Sequence, residues 1–315
     1  MHKESHMTQA STNEPHARTV HLFSRAVDSM KKSWHNPANA GPYHRYATRH
    51  PLYLETSRRL VELAELEPGM KVVDLACGTG LTTAAILAAG VDGLDILAVD
   101  QSEAQLALAR QYLPSGQVRF LHSPAERIDR RLDERVDRVI CNAAFWQLKT
   151  DEIFKALATI LAEEGRLLFN TGSWMFPSLE RSLIAPELLA HAVDDGADTS
   201  SLVNLIRRIA KIDYGYTRPT SPNRGGPRYE ASFTASMRQA GFAILKTEGY
   251  MVKQSPEAVY GWYQIPIFRE MLLPGLETDL AQAVLEKAYA GWRPTKNCLY
   301  SCMINFVVGR SSSSI

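Results

Sequence analysis

The stretch Val72-Val73-Asp74-Leu75-Ala76-Cys77-Gly78-Thr79-Gly80-Leu81-Thr82-Thr83 decides the fold of this 315-residue chain. The apolar run 70–75 predicts a buried strand, the small residues after it predict a loop, and a helical pattern follows over about 81–90. A strand, a loop with glycines and a helix let the backbone approach a ligand closely and direct helix N–H groups towards it. The stretch therefore predicts a small-ligand site at the end of a strand.

Three classes of ligand can be compared with this loop. The dinucleotide fingerprint G-x-G-x-x-G does not fit, because the frame from position 76 meets Ala76, Gly78 and Leu81. A P-loop does not fit either, since no Gly-Lys-Ser/Thr follows. The carboxylate of Asp74 would repel a pyrophosphate but suits a ligand that carries an ammonium and a sulfonium group. These residues favour S-adenosylmethionine (SAM).

The chain around the loop alternates strands and helices. Besides 70–75, six runs have strand character and lie at 94–99, 118–121, 136–141, 166–170, 242–252 and 299–308. Helical patterns separate them at about 103–112, 151–162 and 230–240, and Gly165 is expected to cap the second of these helices. The rhythm predicts an α/β fold with a doubly wound, mostly parallel, seven-stranded Rossmann-like sheet and a ligand at the strand C-termini.

Interruptions of this rhythm suggest the domain organisation. A helix is predicted over 18–32, a chain break from Asn36 to Pro42, and a second helix over about 51–66. The expected units are a disordered N-terminus over 1–17, a helical arm or lid over 18–50, a ligand-binding core over 51–171, a helical lid insertion over 172–229, the rest of the core over 230–310 with a helical insertion over 255–296, and a tail over 311–315.

Composition limits the partners. A net charge of +1 gives no electrostatic footprint for nucleic acid or for an anionic membrane. No apolar run reaches the ~18 residues of a spanning helix, and the first residues lack the apolar stretch of a signal peptide. The four cysteines form neither a zinc motif nor a disulfide framework. We expect a reduced, cytoplasmic protein, and the N-terminal helix could join copies into a homo-oligomer.

Residues 52–171, and more loosely 230–310, resemble the class I SAM-dependent methyltransferase fold. Asp74, Ala76, Gly78 and Gly80 match the first motif of that family, which usually has glycine at the place of Ala76. The resemblance implies that SAM is the cofactor, S-adenosylhomocysteine the product, and that the loop wraps the methionine end. The cofactor-binding residues expected on this basis are Tyr46, Asp74, Ala76, Cys77, Gly78, Gly80, Asp100, Gln101, Ala125, Glu126, Asn142 and Ala143.

Two members of that set have specific expected roles. Asp100 matches the acid at the end of the second strand, where one carboxylate can accept from both ribose hydroxyls. Pro124 stands where relatives often have the aspartate of an Asp-Ala-Glu motif, and proline has no N–H. Adenine contacts are therefore expected from Ala125 and Glu126.

The acceptor side is expected to be aromatic. Phe145, Trp146, Trp174, Tyr250, Tyr260 and Tyr263 are the expected substrate-pocket residues. They favour a small hydrophobic or aromatic metabolite, such as one of secondary metabolism, over a nucleic acid. Methyl transfer by in-line displacement requires no metal, and a general base is required only for a protonated acceptor.

The candidates for that base are His44, Tyr43 and Tyr46, with the two tyrosines expected to face the cofactor. Whether the acceptor atom is O, N or C stays open. A protein of the same fold that binds SAM for a non-methylating reaction, or that serves as a binding module, is the alternative.

Overall fold

The computed structural model describes residues 33–114, 116–184, 202–219, 227–293 and 299–311, with backbone alone at 227 and 228. The helix predicted over 18–32 lies outside these residues, as do parts of the two stretches expected to form helical insertions.

A seven-stranded sheet forms the centre of the fold. Its strands are β1 (Lys71–Leu75), β2 (Asp95–Asp100), β3 (Arg119–His122), β4 (Val136–Cys141), β5 (Leu161–Gly172), β6 (Phe242–Gln254) and β7 (Leu299–Arg310). Their order is β3-β2-β1-β4-β5-β7-β6. The first five strands are parallel, and β7 inserts antiparallel between β5 and β6. The predicted α/β fold with a mostly parallel seven-stranded sheet is confirmed.

Helices cover both faces of the sheet and its C-terminal edge. They are α1 (Pro37–Arg49), α2 (Pro51–Leu63), α3 (Leu81–Ala88), α4 (Glu103–Tyr112), α5 (Thr150–Ile160), α6 (Pro177–Leu183), α7 (Leu202–Tyr214), α8 (Pro227–Gln239), α9 (Pro256–Gln264), α10 (Pro266–Leu272) and α11 (Thr278–Gly291). Short 3₁₀ helices occupy Ala125–Arg130, Phe145–Gln147 and Ser173–Met175. No helix in these described ranges is long and apolar enough to cross a membrane.

The central strands are buried because helices lie on both sides. Val72, Val73 and Leu75 of β1 are almost fully buried, as a strand covered on both faces requires. Val73 and Leu75 belong to a cluster with the phenylalanines of β5 and β7, whereas Val72 packs with Leu60 of α2 on the other face. The apolar residues of the run 70–75 are therefore explained by a strand that is buried on both faces.

The chain break predicted from Asn36 to Pro42 is wrong, because these residues begin α1. Asn36 is the N-cap, and its side-chain Oδ1 accepts a hydrogen bond from Ala38 N at 3.0 Å. Pro37 occupies the first helical position, where a missing N–H costs nothing. Pro42 lies inside the helix. The asparagine and proline that suggested a break instead mark a helix start.

The expected role of Gly165 as a helix cap is also wrong. Helix α5 ends at Ile160, and Leu161 is already extended and paired with Val136. The register between β4 and β5 then shifts before Arg138 pairs with Arg166. A Cβ on Gly165 would lie 3.0 Å from backbone atoms of Ala162, so glycine permits the close backbone approach at this irregularity of β5.

A second hydrophobic cluster lies beyond the C-terminal edge of the sheet. Leu202, Val203 and Ile206 of α7 pack with Val284 and Leu285 of α11. Val259 and Tyr263 of α9 complete the cluster. The packing holds α7 and α9 beside the strand ends, where they form one wall of a cavity.

Candidate functional site: a cavity at the carboxyl edge of the sheet

A cavity of about 710 Å³ lies where β1, β2 and β4 end. The residues that follow these strands line one half of it: Ala76 and Gly78 after β1, Asp100 and Gln101 at the end of β2, and Asn142 and Ala143 after β4. Helices α1, α9 and α10 and the strands β6 and β7 contribute to the other half. The expected position at the strand C-termini is the position observed.

In the glycine loop after β1, three alternate residues have left-handed backbone conformations. Ala76, Gly78 and Gly80 have φ values of +57°, +55° and +86°. A Cβ on Gly80 would lie 2.7 Å from Leu113 Cδ1, so this position requires glycine both for its φ and for space. Ala76 takes the same conformation with a side chain, and it lies on the cavity wall while Gly80 lies behind it.

Asp100 connects β2 to this loop. Its Oδ2 accepts from Gly78 N at 2.9 Å and its Oδ1 from Ser102 N at 2.8 Å. Burial raises the pKa of this carboxyl, while the two backbone N–H groups oppose that rise. A carboxylate has about four acceptor positions, so Asp100 can accept further hydrogen bonds from a ligand with two neighbouring hydroxyls.

Asp74 lies beneath the loop and does not reach the cavity wall. It is buried, and its Oδ2 accepts from the Thr83 hydroxyl at 2.5 Å. Its Oδ1 has no hydrogen-bond partner in the described part of the chain. Burial raises the pKa of Asp74 to about 7, with a smaller contribution from the negative charge of Asp100. Cys77 is likewise buried and lies off the wall.

Helix α1 covers the glycine loop through Tyr43. A Cβ on Gly78 would lie 3.6 Å from Tyr43 Cε1, so the ring lies directly against the loop. Tyr43 lines the cavity and makes edge-to-face contacts with Trp34 and Tyr53, which line it too. Burial, together with Tyr53 and Asp100, raises the pKa of Tyr43 far above its ordinary value.

The other two residues of this helix that were expected to act at the site lie elsewhere. Tyr46 is buried away from the cavity, and its hydroxyl donates to Gln254 Oε1 at 3.2 Å. His44 points to the outer side of the loop, where its Nδ1 is 2.9 Å from Thr79 Oγ1 and its ring stacks on Tyr112 at 4.0 Å. Partial burial lowers the pKa of His44.

The expected adenine side is built from the chain after β3. Ser123, Ala125 and Glu126 line the cavity there. Glu126 Oε1 accepts from Lys149 N at 3.1 Å, which links this 3₁₀ helix to the start of α5. Because Ser123 and Ala125 are buried, they present only a small surface to the cavity.

An asparagine pair holds the segment after β4. Asn170 Oδ1 accepts from Ala143 N at 2.6 Å, and Asn170 Nδ2 donates to Asn142 Oδ1 at 2.8 Å. Asn142 Nδ2 donates in turn to Ser57 Oγ of α2 at 2.8 Å. Ala143 has φ +54°, and the hydrogen bond from its N–H stabilises that conformation. Asn170 was not predicted, since nothing in a single sequence shows that it supports its neighbours.

The second half of the cavity is aromatic and aliphatic. Of the predicted pocket residues, Trp146, Trp174 and Tyr263 line it. Phe145 does not, because it is buried and stacked on Phe169 at 4.2 Å in the sheet core. Tyr260 stacks on Tyr289 at 4.0 Å, away from the wall.

Tyr250 also lies off the wall, beneath the Arg59 guanidinium at 4.4 Å from its ring centre. The lining residues that sequence reasoning missed include Trp34, Leu52, Tyr53, Arg207, Arg218, Gln254, Val259, Trp262, Phe268, Met271, Leu272, Ser301, Cys302 and Met303. Most lie on helices and strands distant in sequence from the loop, and only the aromatic content of 255–296 pointed to some of them.

No group of three or more metal-ligating side chains lies together in the ranges that the structure describes. The groups on the cavity wall are those of a site for an organic ligand: backbone N–H groups, two carboxylates, two guanidinium groups, amides and aromatic rings.

Comparison with known proteins identifies the core. Residues 72–165 match the family model described as "Methyltransferase domain". No curated protein matches the chain. A SAM-dependent methyltransferase from Thiobacillus denitrificans, solved in complex with S-adenosylhomocysteine, is similar in structure at 18% identity and a TM-score of 0.48, covering 85% of this chain and 97% of its own.

A cyclopropane synthase from Mycobacterium tuberculosis is similar at 14% identity and a TM-score of 0.46, covering 95% of this chain and all of its own. At such identities the likenesses do not extend to substrate. The sequence match includes the glycine loop, Asp100 and the segment after β4, which line one half of the cavity. That match confirms the predicted methyltransferase domain over residues 72–165, and the sheet that contains these residues has the predicted α/β architecture.

Proposed function

We propose that the protein is a SAM-dependent methyltransferase that acts on a small, hydrophobic or aromatic acceptor. The observation that carries this proposal is the continuity of one cavity. The same 710 Å³ space is bordered by the glycine loop and Asp100 on one side and by Trp146, Trp174 and Tyr263 on the other. A polar cofactor and an apolar acceptor can therefore meet inside it.

The residues on the polar side fit SAM. Asp100 has acceptor positions left for two ribose hydroxyls, and Ala125 and Glu126 border the place expected for adenine. Gly78 has no side chain that would fill the space under Tyr43. Beneath the loop, Asp74 Oδ1 has no hydrogen-bond partner among the described residues, and the negative charge of the ionised carboxyl favours a ligand with an ammonium group near the loop. SAM, when bound, supplies a methyl group already activated by its sulfonium.

The chain's own contribution to catalysis is positioning and exclusion of water. The aromatic wall formed by Trp34, Tyr43, Tyr53, Trp262 and Phe268 encloses the centre of the cavity. Holding an acceptor atom about 3 Å from an activated carbon in a dry site can supply most of the rate enhancement. Aromatic faces also attract a cation held between them.

The residues of the cavity wall also limit the kind of acceptor that can react. No histidine in the described ranges lines the cavity, and Tyr43 has a pKa far above its ordinary value, so it stays protonated at neutral pH. It can donate a hydrogen bond but not remove a proton. An acceptor that is nucleophilic at neutral pH without a strong base, such as an aromatic amine, an activated carbon or an acidic phenol, fits this wall best.

The test is methyl transfer itself. The protein would be incubated with methyl-labelled SAM and a panel of phenols, amines and activated carbons, and both labelled product and S-adenosylhomocysteine would be measured. Acceptor-dependent appearance of label in a product supports the proposal. Formation of a product without label from bound cofactor would instead favour the non-methylating alternative.

A further inference from the structure

The acceptor half of the cavity contains a cationic recess. A smaller cavity of about 220 Å³ is lined by Arg207, Lys211, Tyr216, Thr217 and Arg218. Arg207 and Arg218 also line the main cavity, so the recess opens onto the space assigned to the acceptor. Three of its five lining residues are basic, and none of the described residues that line it is acidic.

Arg207 is placed there by the packing of α7. Residues Val203, Ile206 and Ala210 of this helix are buried against α9 and α11. Arg207 is the next residue after the buried Ile206 and is only half-buried. It therefore lies at the border of the buried face of the helix, where it lines the cavity. Its neighbour Arg208 is exposed and lines neither space.

Among the described residues, Arg207 has no partner that would explain its position. Its Nε is buried without a hydrogen bond, and it forms no ion pair or ring contact with any described residue. Burying a polar group without a partner is energetically unfavourable. A guanidinium left without a partner beside an apolar cavity is accounted for best if a ligand supplies the acceptor.

Arg218 is positioned by the opposite wall. Its Nη2 donates to Met271 O at the end of α10 at 3.3 Å, which fixes the guanidinium at the boundary of the two spaces. Tyr216 donates its hydroxyl to Pro274 O at 2.8 Å and so anchors the segment between α7 and Arg218. The acids on the main cavity wall, Asp100 and Glu126, already accept backbone hydrogen bonds at the polar side.

We propose that the acceptor is an amphiphile with an apolar body and an oxyanion head group, and that Arg207 and Arg218 bind the head group, a carboxylate or a phosphate. Guanidinium groups bind both in a bidentate manner. Lys211 adds a positive charge at the rim of the recess. This inference rests on the proposed function, which assigns the apolar half of the cavity to the acceptor. It narrows the class of acceptor from hydrophobic molecules to hydrophobic molecules with an anionic group.

The test compares three probes with one apolar chain: decanoate, decyl phosphate and 1-decanol. Four of the five tryptophans line the cavity, so intrinsic fluorescence reports binding there. Titrations are made with and without S-adenosylhomocysteine, on the wild type and on Arg207→Gln, Arg207→Lys and Arg208→Gln. Thermal melts show whether each variant is folded.

We expect decanoate or decyl phosphate to bind the wild type at least tenfold more tightly than 1-decanol, and the preferred anion identifies the head group. Arg207→Gln should remove this preference without changing the affinity for 1-decanol. Arg207→Lys should keep part of it, and Arg208→Gln should keep all of it.

Equal affinity of the three probes for the wild type, failure of all three to bind, or a preference that persists in Arg207→Gln would each overturn the proposal. Binding of S-adenosylhomocysteine is followed separately by calorimetry. If the wild type does not bind S-adenosylhomocysteine, the proposed function is contradicted. The titrations made without S-adenosylhomocysteine still decide the role of Arg207.

Discussion

At the scale of single residues, the loop after β1 combines positions that only glycine can occupy with one that tolerates a side chain. Gly80 and Ala76 both have positive φ, but only Gly80 faces a neighbour within clashing distance. The sequence pattern predicted a ligand loop from both residues alike. It could not show that Ala76 faces the cavity while Gly80 packs against the end of α4. That difference depends on Leu113, which is distant in sequence and contacts the loop only after folding.

Substitution of Gly80 by alanine should be far more destabilising than the same change at Gly69. Gly80 has φ +86° and its Cβ would approach Leu113 Cδ1 to 2.7 Å, whereas Gly69 has φ +82° with nothing within 4 Å. We expect a loss of about 3 kcal/mol for Gly80→Ala from strain and overpacking together. Gly69→Ala should lose about 1 kcal/mol from strain alone. Urea unfolding of both variants measures the difference, and equal losses would contradict this reading of Gly80.

Asp74 should make stability fall as pH rises from about 4 to 7. Burial raises its pKa to about 7 in the folded protein, above the ordinary value of 3.8, so in this range the folded state holds a proton that the unfolded state has released. Three pKa units correspond to at most about 4 kcal/mol, present below pH 4 and lost by pH 7.

The check is urea unfolding at pH 5 and pH 7.5 of the wild type and of Asp74→Asn, whose amide oxygen can still accept from Thr83. The wild type should lose more free energy of unfolding across this interval than the variant. The same pH dependence in both proteins would show that Asp74 titrates normally.

At the scale of secondary-structure elements, α1 joins the two halves of the cavity. Tyr43 lies on the glycine loop, Tyr46 reaches Gln254 of β6, and Asn39 connects the helix to α10. Trp34, just before the helix, accepts from the Ser102 hydroxyl through its carbonyl oxygen at 2.7 Å. The sequence signalled a break here, because Pro37 and Pro42 are typical of both loops and helix starts.

Asn39→Ala should loosen the contact between α1 and α10. Its Oδ1 accepts from Ile267 N at 2.9 Å and its Nδ2 donates to Ser33 O at 2.7 Å, and the side chain is buried. The change leaves the Ile267 N–H unpaired, and we expect a loss of about 2 kcal/mol in the free energy of unfolding. Thr48→Ala, exposed on the same helix, should change it by less than about 0.5 kcal/mol. Equal effects would show that α1 is held by other contacts.

At the scale of the whole molecule, the sheet could be predicted from the sequence and much of the cavity could not. Strands such as β1 and β4 are short stretches rich in β-branched residues and followed by small or polar residues, which a sequence shows directly. The wall opposite them comes from α1, α7, α9 and α10, and its residues meet only after folding. Phe145 illustrates the limit: its place after β4 suggested the pocket, but a cluster with Phe154, Phe169 and Phe233 takes it into the core.

Exhaustive chelation should leave methyl transfer unchanged. Displacement at a carbon that a sulfonium activates requires no Lewis acid, and the cavity wall offers amides and rings with two carboxylates that accept backbone hydrogen bonds. The measurement is the initial rate with the best acceptor, before and after treatment with EDTA. A loss that added Mg²⁺ restores would contradict this expectation.

The most direct test of the central claim, that this cavity binds SAM through Asp100, is calorimetric titration with S-adenosylhomocysteine. Asp100→Asn is preferable to alanine, because an amide oxygen can still accept from Gly78 N or Ser102 N. Asp95→Asn at the opposite end of β2 is the matched control. The account predicts binding to the wild type and to Asp95→Asn, and at least tenfold weaker binding to Asp100→Asn, about 1.4 kcal/mol. Unchanged affinity in Asp100→Asn, or no binding to the wild type, would contradict it.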